Sequence, residues 1–194
     1  VSIATVSRVL NGREDIPIKD GTRAKVLEAA REIGYTQNPF YQWISAKKTN
    51  TIGAVLTMGA EVYYARMLHA AESVLKKPGY SVIFSSSQDI PELETECLKE
   101  LINRRVDGIL LTPCQPMTEG LKNAIDSGIP LVFLSRYISG AGVPSVTCDN
   151  RAGARQLTEY LIELGHGRFA FIGGNPGFST VKNRVRGFFD ALRG

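Results

Sequence analysis

The sequence has few of the residues on which several classes of protein depend. Its 194 residues include three cysteines and two histidines. Cys97, Cys114 and Cys148 are odd in number and widely spaced, which fits neither a disulfide framework nor a zinc pattern. We therefore expect a reduced, cytoplasmic environment. The chain also has no apolar run long enough to cross a bilayer and no secretory signal, so we expect no membrane partner.

Signatures of catalysis are equally scarce. The segment 173–177, Gly-Gly-Asn-Pro-Gly, resembles a phosphate-binding loop in its place after an apolar run, but it matches neither phosphate-binding fingerprint. Pro176 also removes a backbone donor there, which favours a plain turn. Neither His69 nor His166 has a neighbouring acid or nucleophile that would suggest a triad. We predict that the protein is not an enzyme and needs no metal or cofactor.

The basic residues lie mostly near the start of the chain. The formal net charge is +4, and residues 1–50 contain eight basic and five acidic side chains. This excess agrees with attraction to phosphates but is too small to establish it.

Residues 1–12 have the pattern of a short amphipathic helix that Ser2 caps and Gly12 ends. One face is an apolar stripe of Ile3, Val6, Val9 and Leu10. The other face carries short side chains and one arginine, namely Ala4, Thr5, Ser7, Arg8 and Asn11. Small residues allow close approach to a major groove, and Arg8 could form two hydrogen bonds with guanine. An ordinary surface helix is the alternative.

A second helix is predicted over Thr22–Ile33 and ends near Gly34. Two such helices cannot bury much apolar surface, so we expect a third one to pack with them. Residues 36–50 form a polar connector that contains a possible short helix at 40–44.

From Thr51 onward the pattern alternates between apolar strands and helices. This alternation predicts an α/β fold with a doubly wound parallel sheet, whose ligands bind beyond the carboxyl ends of the strands. The predicted strands are 51–56, 80–85, 107–112, 130–134, 145–148 and 168–172. The predicted helices are 63–77, 91–104, 117–127, 150–164 and 179–193.

Several sequence blocks resemble the LacI/GalR family of bacterial transcriptional repressors. They include V-S-I-A-T-V-S-R-V-L-N-G (1–12), R-V-D-G-I-L-L-T-P (105–113), G-I-P-L-V-F-L-S-R (128–136), D-N-R-A-G-A (149–154) and L-I-E-L-G-H-G-R-F-A-F-I-G-G (161–174). The resemblance implies a partial helix-turn-helix domain over 1–35, a hinge over 36–50, a first effector subdomain of periplasmic-binding-protein type over 51–165 and the start of a second over 166–194. It also implies that a first DNA-binding helix precedes Val1 and that most of the second subdomain follows Gly194.

The resemblance further implies roles for individual residues. DNA contacts are expected from Ile3, Ala4, Thr5, Ser7, Arg8, Asn11 and the hinge residues Asn38 and Ile44. Effector contacts are expected from Tyr63, Tyr64, Ser135 and Arg184. The alternative for the tyrosine pair is core packing of one member, and the alternative for Arg184 is a surface charge.

The chain departs from the family pattern at several of these positions. Residues 58–62 lack the usual P-D-x-S-N-P, and Ser135 stands where many relatives have Asp or Asn. Lys182 replaces an arginine, and Ile44 replaces the hinge leucine.

The predicted function is that of a homodimeric repressor that binds operator DNA and responds to a small metabolite, a sugar or sugar acid. The first alternative is a periplasmic-type receptor module without DNA function. The second is a doubly wound, nucleotide-dependent enzyme, which the missing phosphate fingerprint disfavours.

Overall fold

The computed structural model describes residues 1–10, 16–35, 48–57 and 61–193. They form two compact units, Val1–Lys48 and Thr49–Gly194. Within the described ranges, no helix is long and apolar enough to cross a membrane.

The first unit contains helices α1 (Ile3–Leu10) and α2 (Asp20–Glu32). The predicted cap is confirmed, because the Ser2 hydroxyl accepts a hydrogen bond from the backbone N–H of Thr5 at 3.2 Å. The predicted end of the second helix is confirmed as well, since Gly34 has a φ of +64° directly after it.

The apolar stripe of α1 is only partly buried. Val9 of α1 and Val26 of α2 are buried, whereas Ile3 is 90% exposed. Ile3, which is also one of the expected DNA contacts, therefore lies outside the core that α1 and α2 form in this unit. The physical reason is that α2 alone offers too little surface to cover the whole face of α1. Asn11, Gly12, Asn38, Ile44 and the possible helix at 40–44 lie outside the described residues.

The second unit is built on a parallel sheet of five strands. In chain order its elements are β1 (Thr51–Leu56), α3 (Glu61–Lys76), β2 (Ser81–Ser86), α4 (Pro91–Asn103), β3 (Gly108–Leu111), α5 (Glu119–Asp126), β4 (Leu131–Leu134), β5 (Ser145–Val146), α6 (Asn150–Glu163) and α7 (Ser179–Arg193). The strand order is β2-β1-β3-β4-β5, with every neighbouring pair parallel. The predicted parallel α/β architecture is confirmed.

Apolar side chains cover both faces of this sheet. The larger cluster joins Val55, Ile109 and Phe133 of the strands to Leu98 and Leu101 of α4, among others. The smaller cluster packs Tyr64 of α3 against Leu56 and Leu134. Burial on both faces explains why the strands are almost continuously apolar.

Most element boundaries agree with the sequence prediction to within two residues. Helix α5 begins at Glu119 rather than 117, because the Thr118 hydroxyl caps it by accepting a hydrogen bond from the Leu121 N–H at 3.1 Å. Strand β5 covers only Ser145–Val146 of the predicted 145–148.

The predicted strand at 168–172 is wrong. This segment is irregular in the structure, and Ile172 is 98% exposed. A strand needs a neighbour to satisfy its backbone groups, and no described strand pairs with this segment. Phe171 instead packs on Phe188 of α7, with ring centres 5.3 Å apart.

Candidate functional site

Helix α1 presents short side chains to solvent. Ala4 and Ser7 are exposed together with Ile3, while Thr5 and Arg8 are half-buried. The Thr5 hydroxyl lies 2.9 Å from the Ser2 hydroxyl, which joins it to the capping residue. The face assigned to DNA contact is therefore largely accessible within this unit.

Small hydroxyl side chains follow all five parallel strands. Thr57, Ser87, Thr112, Ser135 and Thr147 come directly after β1, β2, β3, β4 and β5. The first three are at most 2% exposed, and Ser135 is half-buried. The Thr112 Oγ1 has no hydrogen-bond partner among the described residues. We refer to this end of the sheet as the carboxyl edge.

Arg136 is a buried charged residue at the carboxyl edge. It is 8% exposed and forms a two-pronged ion pair with Asp89, in which Nη2 lies 3.1 Å from Oδ2. Its guanidinium carbon also lies 3.8 Å from the centre of the Phe178 ring. Burial disfavours the charge of Arg136, but the hydrogen bond to Asp89, together with the charges of Tyr64 and Asp89, outweighs this, so the pKa of Arg136 is raised.

The backbone around this ion pair is locally strained. Asp89 has a φ of +58°, the preceding Gln88 has +52°, and Ser135 has +66°. Residues with side chains rarely adopt this left-handed region, and such outliers cluster at binding sites. The strained positions therefore strengthen the carboxyl edge as the candidate ligand site.

The two tyrosines that open α3 have different surroundings. Tyr64 is 8% exposed and belongs to the core cluster with Leu56 and Leu134, so the core-packing alternative holds for its ring. Burial raises the pKa of Tyr64, and Arg136 and the Ser135 side chain partly offset that rise. Both of the residues that offset this rise belong to the carboxyl edge. Tyr63 is 45% exposed, and its ring meets that of Tyr64 edge-on at 5.2 Å.

Helix α7 brings a second set of polar side chains to the carboxyl edge. The Ser179 hydroxyl accepts a hydrogen bond from the backbone N–H of Tyr137 at 3.0 Å, and Asn183 donates to the Tyr137 hydroxyl at 3.4 Å. The Arg184 Nε donates to the Asn150 Oδ1 at 2.8 Å. Asn150 begins α6, which follows β5, so the exposed Arg184 lies at the predicted end of the sheet.

The structure thus brings Tyr64 and Ser135 together and places Arg184 on the helix that borders the same edge. Sequence reasoning missed Arg136, Asp89, Phe178 and Asn150. Arg136 ends one of the blocks that carry the family resemblance, and Asn150 is the second residue of another, which is a usable signal. The pairing of Arg136 with Asp89 joins residues 47 positions apart, and no local pattern shows it.

Neither histidine belongs to a metal centre in the described part of the chain, where no group of three or more potential ligands comes together. His69 and His166 are both exposed.

Two family models match this chain, and both concern bacterial gene regulators. Residues 1–38 match the bacterial regulatory proteins of the lacI family, and residues 49–194 match the periplasmic binding proteins and sugar binding domain of the LacI family. The fold and its edge therefore define a regulator that joins a helix-turn-helix segment to a binding domain of periplasmic type. The chain belongs to the LacI family, which consists of transcriptional regulators rather than enzymes.

Individual relatives agree with this assignment. The chain is 33% identical over 193 residues to catabolite control protein A of Staphylococcus xylosus, a match that covers 99% of this chain and 58% of the relative. Among solved structures, the Cra transcriptional dual regulator of Pseudomonas putida in complex with fructose 1-phosphate is 30% identical, with a TM-score of 0.70 over 75% of this chain and 54% of that one. The transcriptional regulator CelR in complex with cellobiose is 29% identical, with a TM-score of 0.63 over 100% of this chain and 58% of that one. The chain thus spans a little more than half the length of these relatives.

Proposed function

We propose that this chain is the DNA-reading and first effector-binding part of a cytoplasmic, homodimeric repressor that is controlled by a sugar or sugar acid. The observation that carries the proposal is the carboxyl edge. There, hydroxyl groups, a paired arginine and an exposed arginine converge where parallel sheets bind ligands.

The chemistry of this edge suits a ligand with many oxygen atoms. Arg184 is exposed and has rigid, fork-like donors that can bridge two oxygens. Its hydrogen bond to Asn150 is exposed to solvent, so a ligand can replace it at little cost. Ser135 and Tyr63 supply further hydroxyl groups and an aromatic surface. Lys182, which replaces a family arginine, is exposed and cannot form the same fork.

The DNA side of the proposal depends on α1. Ile3 and Ala4 are exposed at its start, and Arg8 lies one turn further along the same helix. These positions allow a recognition helix to contact base edges in the major groove, while Thr5, Ser7 and Asn11 support it. Asn38 and Ile44 would serve the hinge, with Ile44 as the apolar wedge in the minor groove. A homodimer would present two such helices to the two halves of an operator.

The proposed mechanism is allosteric. A ligand at the carboxyl edge contacts the loop after β4 and helix α7, and it changes the balance between a DNA-competent and an incompetent state. Such coupling requires that the ligand bind one state more tightly than the other.

The test is operator binding by the full natural protein, with and without sugars. An operator is first selected from random duplexes, and its affinity is then measured with fructose 1-phosphate and with cellobiose, the ligands of two related structures. We expect one sugar to change operator affinity about 5-fold to 150-fold, the usual range of allosteric coupling. Sugar binding without any selected operator would instead support the receptor alternative.

A further inference from the structure

A buried carboxylate lies beneath the carboxyl edge, outside the set of residues described above. Glu94, in the first turn of α4, is 0% exposed. Its Oε1 accepts a hydrogen bond from the Thr118 hydroxyl at 2.7 Å, and its Oε2 accepts one from the backbone N–H of Cys114. A buried carboxylate is costly unless such donors satisfy it. A well-packed apolar side chain would fill the same space without that cost, so the fold gains something else from Glu94.

What Glu94 holds is the segment that leaves β3 at the carboxyl edge. Residues 112–118 run from the end of that strand to the cap of α5. Both ends of this segment are tied to Glu94, since Cys114 lies near its start and Thr118 at its close. Gln115 lies between these two hydrogen-bonded residues, and its side chain extends away from Glu94 to Tyr137.

The Gln115 side chain links this fixed segment to the end of the neighbouring strand. Its Nε2 donates a hydrogen bond to the Tyr137 carbonyl oxygen at 3.1 Å, beyond the end of β4. The backbone N–H of Tyr137 in turn donates to the Ser179 hydroxyl, at the start of α7, at 3.0 Å. Hydrogen bonds, joined by the backbone from Cys114 to Gln115 and within Tyr137, therefore connect α4 through two strand ends to α7.

We propose that Glu94 is a positioning residue of the effector site. It fixes the 112–118 segment against α4, so that Gln115 holds the loop after β4, with Ser135, in register with α7. The inference rests on the proposed function for its link to ligand binding, but the positioning itself is measured without a ligand.

The first experiment follows Cys114 as a reporter. In a Cys97→Ser/Cys148→Ser background, Cys114 is the sole cysteine of this chain, and it is 1% exposed. We expect Glu94→Gln to speed its labelling by a thiol reagent about tenfold, because the amide cannot satisfy both donors and the segment opens more often. The matched control is Glu92→Gln, an exposed glutamate in the same helical turn, which should label as the parent does.

Hydrogen exchange of the full natural protein provides the second readout. Glu94→Gln should raise exchange both in 112–118 and in the loop 135–138, whereas Gln115→Ala should raise it in 135–138 alone. Gln115→Ala leaves both hydrogen bonds of Glu94 intact. It therefore keeps the proposal testable if Glu94→Gln does not fold. Unchanged labelling of Cys114 and unchanged exchange at 135–138 in both variants would overturn the proposal.

The third readout connects positioning with ligand affinity. Calorimetry with fructose 1-phosphate and cellobiose compares Glu94→Gln with Glu92→Gln. We expect only Glu94→Gln to lower the affinity for the sugar that the parent binds, by about tenfold. If the parent protein binds neither sugar, the proposed function loses support, while labelling and exchange still decide the role of Glu94.

Discussion

The guanidinium carbon of Arg136 lies 3.8 Å from the ring centre of Phe178, while the same guanidinium is paired with Asp89. One side chain from the end of β4 thus connects the loop after β2 with the segment that enters α7. Arginine suits this place because its planar group can stack on a ring and form a fork with a carboxylate at the same time.

We predict that Arg136→Ala destabilises the protein by about 1–3 kcal/mol, because it leaves the partly buried Asp89 without its partner. The side chains of this pair are 10% and 31% exposed. Arg104→Ala is the matched control, since Arg104 and Glu100 form an ion pair with side chains 55% and 57% exposed. That control should cost about 0.3–0.5 kcal/mol, as exposed helical pairs do. Urea unfolding measures both, and equal losses would contradict the prediction.

The contact between α6 and α7 leaves no room for a side chain at Gly187. A Cβ there would collide with the Arg151 carbonyl oxygen. We predict that Gly187→Ala destabilises the second unit by about 1–3 kcal/mol through overpacking. Gly153→Ala is the control, because nothing lies within 4 Å of a Cβ at that helical position. Gly153→Ala should stabilise the protein by up to about 1 kcal/mol. A shift of the unfolding temperature in the same direction for both variants would contradict the prediction.

The regular elements of this fold are predictable from sequence because they depend on local patterns. The period of apolar residues places β1 and α7, and the Ser2 cap is a signal read over three residues. The segment 168–172 has the same apolar pattern but no partner strand among the described residues. A local sequence pattern does not show whether a strand has a neighbour to pair with.

The candidate site was predictable in its location but not in its detail. Parallel strands place their carboxyl ends together, which is enough to bring Ser135 to the edge. The pairs Arg136–Asp89 and Arg184–Asn150 join residues 47 and 34 positions apart. Such pairs follow from the order of the strands, which the sequence pattern alone does not determine.

The buried thiol of Cys114 predicts a loss of stability in alkali. Burial, together with the charge and hydrogen bond of Glu94, raises the pKa of Cys114 from 9.0 to about 12. The unfolded chain therefore releases this proton near pH 9 while the folded chain keeps it. The stability that the neutral thiol contributes is fully present below pH 9 and is lost as the pH rises towards 12. Over this range the free energy of unfolding falls by up to about 1.4 kcal/mol per pH unit.

Unfolding measured from pH 8 to pH 11 tests this dependence. Cys114→Ala should flatten the decline in stability with pH, even if it costs some stability at pH 7. Cys148→Ala, at an exposed position, should leave the decline as it is in the parent. A decline that is equally steep in the parent and in Cys114→Ala would show that other groups cause it.

Arg8 is predicted to read a base rather than a phosphate. In the full natural protein, Arg8→Ala should cost about 1–3 kcal/mol of operator affinity and relax selectivity at one base pair in each half-site. Arg23→Ala, on α2 and outside the expected base contacts, is the comparison, and any loss of affinity there should be similar for all sequences, as when a phosphate contact is lost. Binding to a set of single-base operator variants distinguishes the two patterns. Uniform weakening in Arg8→Ala would assign Arg8 to the phosphate backbone.

Arg184 separates the two functions that we propose for this protein. It is exposed, and its hydrogen bond to Asn150 places it beside the carboxyl edge, in a different compact unit from α1. Loss of a charged hydrogen bond to the effector should cost about 1.5–3 kcal/mol of effector affinity. In the full natural protein, Arg184→Ala should therefore still bind the operator but no longer respond to the sugar that acts on the parent. Arg186→Ala, an exposed arginine two positions along α7, is the matched control and should keep the response. Calorimetry that found the same effector affinity in Arg184→Ala and in the parent would reduce Arg184 to a surface charge.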